Sequence, residues 1–313
     1  MIDKLIDNIS KVIVGKDEKI RKILAAFISG GHVLIEDIPG VGKTSLSKAL
    51  AASINLKYSR IQFTPDLMPF DVIGISIYSS TEDNFIFKPG AIFSNILLAD
   101  EINRASPKTQ SSLLEAMGES QITVDDNKYE LERPFFVIAT QNPSDYEGTF
   151  PLPEAQLDRF MIKISLGYPN YDDELKLLTD KTVLESSSML DSIFEKEELS
   201  RIMDEVKDVF IDKSISKYIL DLISKTRDHE SISLGCSPRA SKSFQMIAKG
   251  VAYINNRNYV IPEDVIYIAK EVLAHRIILT PKARYNSVLS IEIIDEIIRV
   301  TDIPRVSVSK NSE

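Results

Sequence analysis

Up to a turn cluster at residues 167–170 (GYPN), short apolar runs alternate with apolar positions at helical spacing. Five runs read as strands, at residues 32–36, 58–63, 96–99, 135–140 and 160–165. Each is too short and too rich in β-branched or aromatic side chains to favour helix. Strands separated by helical patterns predict an α/β unit with a mostly parallel sheet of five strands. Residues 106–118 carry Leu113, Leu114 and Met117 at helical spacing, with Pro107 in the first turn and Gly118 as the stop. Residues 121–133 alternate Ile122, Val124, Tyr129 and Leu131 around Asp125, Asp126 and Asn127, which predicts a β-hairpin ahead of the fourth strand. Near the start, the stripe Leu5, Ile9, Val12 and Ile13 reads as a packing face.

Beyond the turn cluster the spacing becomes helical. Val288, Ile291, Ile294 and Ile298 form one stripe, and Pro262, Glu263 and Asp264 make a favourable first helical turn. The prediction is two domains: an α/β unit over residues 1–168 and an all-helical unit over 169–304. Residues 305–313 turn polar and are expected to form a frayed tail.

Composition narrows the partners. The 313 residues, at about 150 per domain, agree with two domains. The longest apolar run, residues 23–28, falls far short of the roughly 20 needed to span a bilayer. The amino-terminal stretch lacks the basic head and apolar core of a signal peptide, so a cytoplasmic location is expected. One cysteine, Cys236, and three scattered histidines, His32, His229 and His275, offer neither an internal disulfide nor zinc-ligand spacing. The net charge of −9 is shared between both halves, and no stretch interleaves clustered cations with aromatics, which disfavours nucleic acid as a partner.

The strongest chemical signal is the first strand running into DIPGVGKTSLSKALAAS. A strand, a Gly-rich loop and a helix aim successive backbone N–H groups, and the positive end of the helix dipole, at an anion. Pro39, Gly40, Val41, Gly42, Lys43, Thr44 and Ser45 are the candidate phosphate cradle, with Lys43 reaching the outer phosphates and the Thr44 hydroxyl ligating magnesium. Asp37 stands where the strict GxxxxGKT pattern has its first glycine; its tolerance of positive φ is expected to preserve the turn. Downstream, ILLADE ends a strand in Asp100 and Glu101. Asp100 suits the hydration shell of magnesium, and Glu101 suits orienting or deprotonating the attacking water. The fourth strand ends in Asn142, whose amide can bond the terminal phosphate and the water. Arg159 in PLPEAQLDRF and Arg239 in GCSPRA can neutralise charge developing on the transferred phosphoryl group. Asp212, Ser214 and Ser216 spell DxSxS, a pattern of metal-dependent adhesion sites, but a helix cap explains them more simply.

Taken in order, these segments resemble the MoxR family of AAA+ ATPases. LIEDIPGVGKT resembles its Walker A loop, including the acidic residue at the first position, and LLADEINRASPKTQSSLLEAM its Walker B segment. ATQNP resembles its sensor 1, PLPEAQLDRF its arginine-finger region and GCSPRA its sensor 2. The likeness runs from about Val12 to Pro304. It implies an AAA+ P-loop domain with a central parallel five-stranded sheet followed by a helical lid, and binding of ATP or ADP with Mg2+. It also implies an adenine pocket lined by Val14 and Gly15 with Tyr168 and Pro169 near the domain junction. A helix-2 insert within residues 63–90 and a pre-sensor-1 hairpin at 121–133 follow as well. Arg159 would act in trans on a neighbour's nucleotide, which implies a ring, usually a hexamer; whether Arg239 acts in cis or in trans is left open. The implied role is chaperone-like maturation of a protein client, often with a von Willebrand A partner, here expected on a separate polypeptide. Two other readings compete: a nucleic-acid motor of the helix-2-insert group, and a nucleotide-gated scaffold with negligible turnover.

Overall fold

The computed structural model describes residues 2–143, 148–179 and 190–304; the expected tail at 305–313 lies outside them. The strands in chain order are β1 (Val33–Glu36), β2 (Tyr58–Gln62), β3 (Gly74–Ser79), β4 (Asn84–Pro89), β5 (Ile96–Asp100) and β6 (Gln121–Val124). They continue with β7 (Asn127–Glu130), β8 (Phe136–Gln141), β9 (Ile162–Ile164), β10 (Ile232–Leu234) and β11 (Ile278–Leu279). The five expected sheet strands form one parallel sheet in the order β2-β5-β8-β1-β9. Its strands alternate between two buried faces. Val33, Ile35, Ile96, Leu98, Phe136 and Ile138 enter one apolar cluster, whereas Leu34, Leu97, Ala99, Val137 and Ala139 enter another. A sheet covered on both sides needs such nearly continuous apolar runs.

The first face is covered by α1 (Ile2–Ser10), α2 (Asp17–Ile28) and α3 (Lys43–Ser53). The expected packing stripe of Leu5, Ile9, Val12 and Ile13 is buried there. That cluster continues without a break into the carboxyl-terminal helices, through Leu222, Phe244, Val265 and Ile294. The second face is covered by α4 (Pro69–Ile73) and α5 (Pro107–Glu119), with Leu113 and Leu114 fully buried. Among the described residues, no helix is long and apolar enough to cross a membrane.

Several local expectations change. The insert stretch contains α4 and an antiparallel hairpin, β3 paired with β4, whose strands are too exposed for the alternation of buried and solvent positions that reveals a strand. The carboxyl-terminal part is not all helical, because β10 pairs antiparallel with β11. Strands of three and two residues leave no legible period. The last helix runs Ser290–Arg299 and buries Ile293, Ile294 and Ile297, while Ile291 is 45% exposed. Val288 precedes this helix and so cannot set its phase. Gly118 does not stop α5 but lies inside it; the left-handed cap is Ser120, φ 53°. By contrast, the β6–β7 turn has Asp125 and Asp126 at φ 48° and 65°, as a two-residue hairpin turn requires. Asp212 accepts the backbone N–H of Ser214 at 2.7 Å and caps the helix Lys213–Asp228, which accounts for the DxSxS segment.

Candidate functional site

The carboxyl end of β1 passes into the phosphate loop, and α3 begins at Lys43. Gly40 and Gly42 adopt φ 88° and 93°, and a Cβ on Gly40 would touch nothing within 4 Å. Backbone conformation, not crowding, requires glycine there. Asp37 behaves otherwise than expected: its φ is not among the positive ones. Its carboxylate is an anchor. Oδ2 accepts the backbone N–H groups of Leu166 and Gly167 at 2.7 and 2.8 Å and the Ser165 hydroxyl at 3.1 Å, tying the loop to the segment after β9. Glycine could not make these bonds, so the acid in its place has a physical reason. Lys43 donates from Nζ to the carbonyls of Asp37 and Ile38 at 2.7 and 3.2 Å. Burial lowers its pKa, opposed by the charges of Asp100, Asp37 and Glu101.

β5 delivers the two acids. Parallel pairing sets Gln62 of β2 opposite Asp100, and β8 brings Thr140 in from the other side. The Thr140 hydroxyl donates to Asp100 Oδ1 at 2.6 Å and accepts the backbone N–H of Glu101 at 2.9 Å. Arg60 donates to Asp100 Oδ2 at 2.7 Å; Gln62 Nε2 and Arg104 Nη1 donate to Glu101 Oε2 at 2.8 and 3.0 Å. Glu101 holds φ 56°, ψ 49°, a left-handed conformation that costs an acidic residue roughly 1–3 kcal/mol and concentrates at functional sites.

These groups share a cavity of about 400 Å³. Pro39, Gly40, Gly42, Lys43, Thr44 and Ser45 line the loop side, and Asp100, Glu101 and Asn142 the strand ends. Sequence reasoning missed the other two lining residues, Arg60 and Gln62. Amide donors at a helix start with Lys43 between them fit a polyphosphate, and the hard oxygens of Thr44 and Asp100 fit a magnesium ion that keeps much of its water. Val14, Gly15 and Val41 are not in the lining. Val41 packs against the core, and Gly15 lies against the Asp173 carboxylate, 1.8 Å from where a Cβ would stand. Tyr168 accepts Lys16 Nζ at its carbonyl, 2.6 Å away.

Arg159 and Arg239 lie elsewhere. Together they line a separate cleft of about 180 Å³ with Gly31, His32, Gly118 and Asp158. His32 and Met161 immediately precede β1 and β9, so this cleft opens at the amino ends of the strands. Five residues of strand separate His32 from Asp37, on the order of 16 Å at a rise of about 3.3 Å per residue. Arg159 Nη1 donates to the Leu114 carbonyl, and a Cβ on Gly118 would stand 2.6 Å from that nitrogen. Asp158 is gripped by two residues from the carboxyl-terminal part. Arg276 donates to its Oδ1 at 2.8 Å and Ser237 to its Oδ2 at 2.8 Å, and Ser237 also caps the helix Pro238–Ile254 that carries Arg239. Arg276 is buried, and it donates as well to the carbonyls of Phe160 and Met161. One network therefore sets the positions of both candidate arginines. Among the described residues, no group of three or more His, Cys, Asp or Glu side chains could hold a metal on its own.

The fold is that of the ATPase class in which an α/β unit is followed by a lid. Residues 32–162 match the family described as "ATPase family associated with various cellular activities (AAA)", and residues 224–297 match the AAA lid domain. The chain is 47% identical to a protein of Bacillus subtilis named YeaC, over 97% of this chain and 95% of the relative. It is 36% identical to Chaperone MoxR1 of Mycobacterium tuberculosis, over 98% of this chain and 83% of that protein. A crystal structure from Cytophaga hutchinsonii, of a protein inferred to be an ATPase, superposes with a TM-score of 0.90 at 42% identity, covering 97% of this chain and 95% of that one. The chain belongs to the MoxR family of AAA+ ATPases.

Proposed function

We propose that this protein hydrolyses magnesium-bound ATP in a ring of identical subunits, a hexamer, and converts hydrolysis into remodelling of a protein client. In this reading residues 1–168 bind the nucleotide and 169–304 form the lid. Val14 and Gly15 border the adenine, Lys43 and the loop amides hold the phosphates, and Thr44 and Asp100 hold magnesium. Glu101 activates water, and Asn142 orients it against the terminal phosphate. Magnesium, when bound, supplies charge neutralisation at the phosphates.

The observation that carries the reading is the separation of Arg159 and Arg239 from the phosphate pocket of their own chain. An arginine at the amino ends of the strands reaches a terminal phosphate only if that phosphate belongs to a neighbouring subunit. The shared network through Asp158, Ser237 and Arg276 favours the same role in trans for both. A protein client is favoured over nucleic acid by the insert hairpin. Its Ile75, Ile77, Tyr78 and Phe85 are 41%, 48%, 56% and 68% exposed, and Lys88 is outnumbered by Glu82 and Asp83. Apolar exposure on that scale suits apolar polypeptide, whereas a phosphate backbone needs clustered cations. A von Willebrand A domain partner and a cytoplasmic location, where ATP is supplied, complete the proposal.

The test is phosphate release by the full chain and by Glu101→Gln. The variant should bind ATP as the parent does and turn over about 10²- to 10⁴-fold more slowly. Parental turnover in the variant would remove Glu101 from its role, and absence of phosphate release by the parent would leave the nucleotide-gated scaffold.

A further inference from the structure

Arg60 comes from β2, an edge strand of the sheet, yet it lines the candidate phosphate pocket and its guanidinium reaches Asp100. Its Nη2 donates to Asp100 Oδ2 at 2.7 Å and to Gln62 Oε1 at 3.1 Å, and Gln62 passes the chain of bonds on to Glu101 at 2.8 Å. Since the Thr140 hydroxyl bonds the other oxygen, both oxygens of Asp100 are held by protein donors, and one donor carries a full positive charge. A guanidinium on a carboxylate oxygen and a hydrated divalent cation drawn to the same carboxylate repel each other and divide its negative charge. The two partners differ in freedom: the Arg60 side chain is 46% exposed and that of Asp100 is 12% exposed. The acid is fixed by its strand and by Thr140, whereas the arginine has solvent to move into.

We propose that Arg60 is a positioning residue that competes with magnesium for Asp100, so that it lowers the advantage the metal gives to nucleotide binding. Its charge has the opposite effect on metal-free triphosphate, which it attracts together with Lys43. Arg60 therefore grades the pocket's preference between metal-bound and metal-free nucleotide. The inference rests on the nucleotide site of the preceding section and deepens it.

The experiment titrates a fluorescent ATP analogue into the full-length chain, once with excess magnesium and once with EDTA, for the parent, Arg60→Gln and Arg60→Lys. The readout is the ratio of the two dissociation constants. Arg60→Gln should bind more weakly in EDTA and at least as tightly in magnesium, raising the ratio roughly fivefold. Arg60→Lys keeps the charge but loses the planar fork, so a smaller rise in the same direction is expected; it carries the test if the Gln variant does not fold. An unchanged ratio in both variants overturns the inference. Equal weakening in both buffers overturns it too, by making Arg60 a plain phosphate ligand. If the parent binds the analogue in neither buffer, the nucleotide site itself fails, and the inference with it.

Discussion

At the carboxyl ends of the strands, the charged groups of the pocket meet opposite charges from the same chain: Arg60 on Asp100, Arg104 on Glu101, and Lys43 facing three carboxylates. At the amino ends, Arg239 is exposed and Arg159 gives a nitrogen to a backbone carbonyl; among the described residues, neither is paired with a carboxylate. The first end pairs its charges within the chain, and the second leaves two guanidinium groups without a carboxylate partner among the described residues. The scaffolding differs in the same sense. Strand pairing alone aligns the acids with Gln62 and Thr140, whereas the arginine cleft is assembled by the lid, through Ser237 and Arg276 on Asp158. The acids are thus placed within the sheet, whereas the candidate arginines are placed partly by residues of the lid.

The contrast breaks most sharply at Arg159. Arg159→Ala should lower turnover by about 10³-fold with nucleotide affinity unchanged, measured by phosphate release beside a nucleotide titration. A parallel loss of affinity would place Arg159 in its own pocket. A smaller effect is expected from Gly118→Ala. The added Cβ meets the end of a flexible side chain, so stability should hardly change, but the guanidinium must shift and turnover should fall roughly tenfold. Parental turnover with the fold intact would show that the cleft tolerates the shift.

The smallest effect concerns the fold around the amino ends. Burial pushes His32 down to about 4, against the raising effect of its contact with the Met117 carbonyl, and burial likewise holds His275 well below the ordinary histidine value. The unfolded chain therefore binds more protons below about pH 6.5, and stability must fall as the pH falls toward the folded values. His32 alone should contribute a loss of about 2 kcal/mol between pH 7 and pH 5, read from urea midpoints. A flat profile over that interval would contradict its buried neutral state.

Much of the sheet and its pocket could be read from local pattern, because each strand carries its own run of apolar residues and ends in its own polar group. Lys43 follows β1 through its loop, Asp100 ends β5 and Glu101 comes next, Asn142 follows β8, and the four meet in one cavity. What escaped was set by pairing between distant segments. Nothing in YSRIQ marks Arg60 or Gln62 until β2 lies beside β5. At Asp37 the local pattern shows only backbone tolerance, whereas its carboxylate bonds a segment far along the chain. Gly118 looked like a helix stop, because the guanidinium that needs its missing side chain arrives from residue 159. Arg276 gave no signal at all: a buried arginine in a helical unit has no period to betray it.

The most direct measurement mixes two variants that the proposal predicts to be inactive alone. In the proposed site Lys43→Ala would lose the phosphate grip but keep Arg159, and Arg159→Ala would have the reverse defect. If the two ends of the sheet act on one nucleotide from adjacent subunits, mixed assemblies contain competent junctions, and phosphate release should recover to a substantial fraction of the parental rate. A mixture no faster than its separate components would contradict the division of the site between two chains.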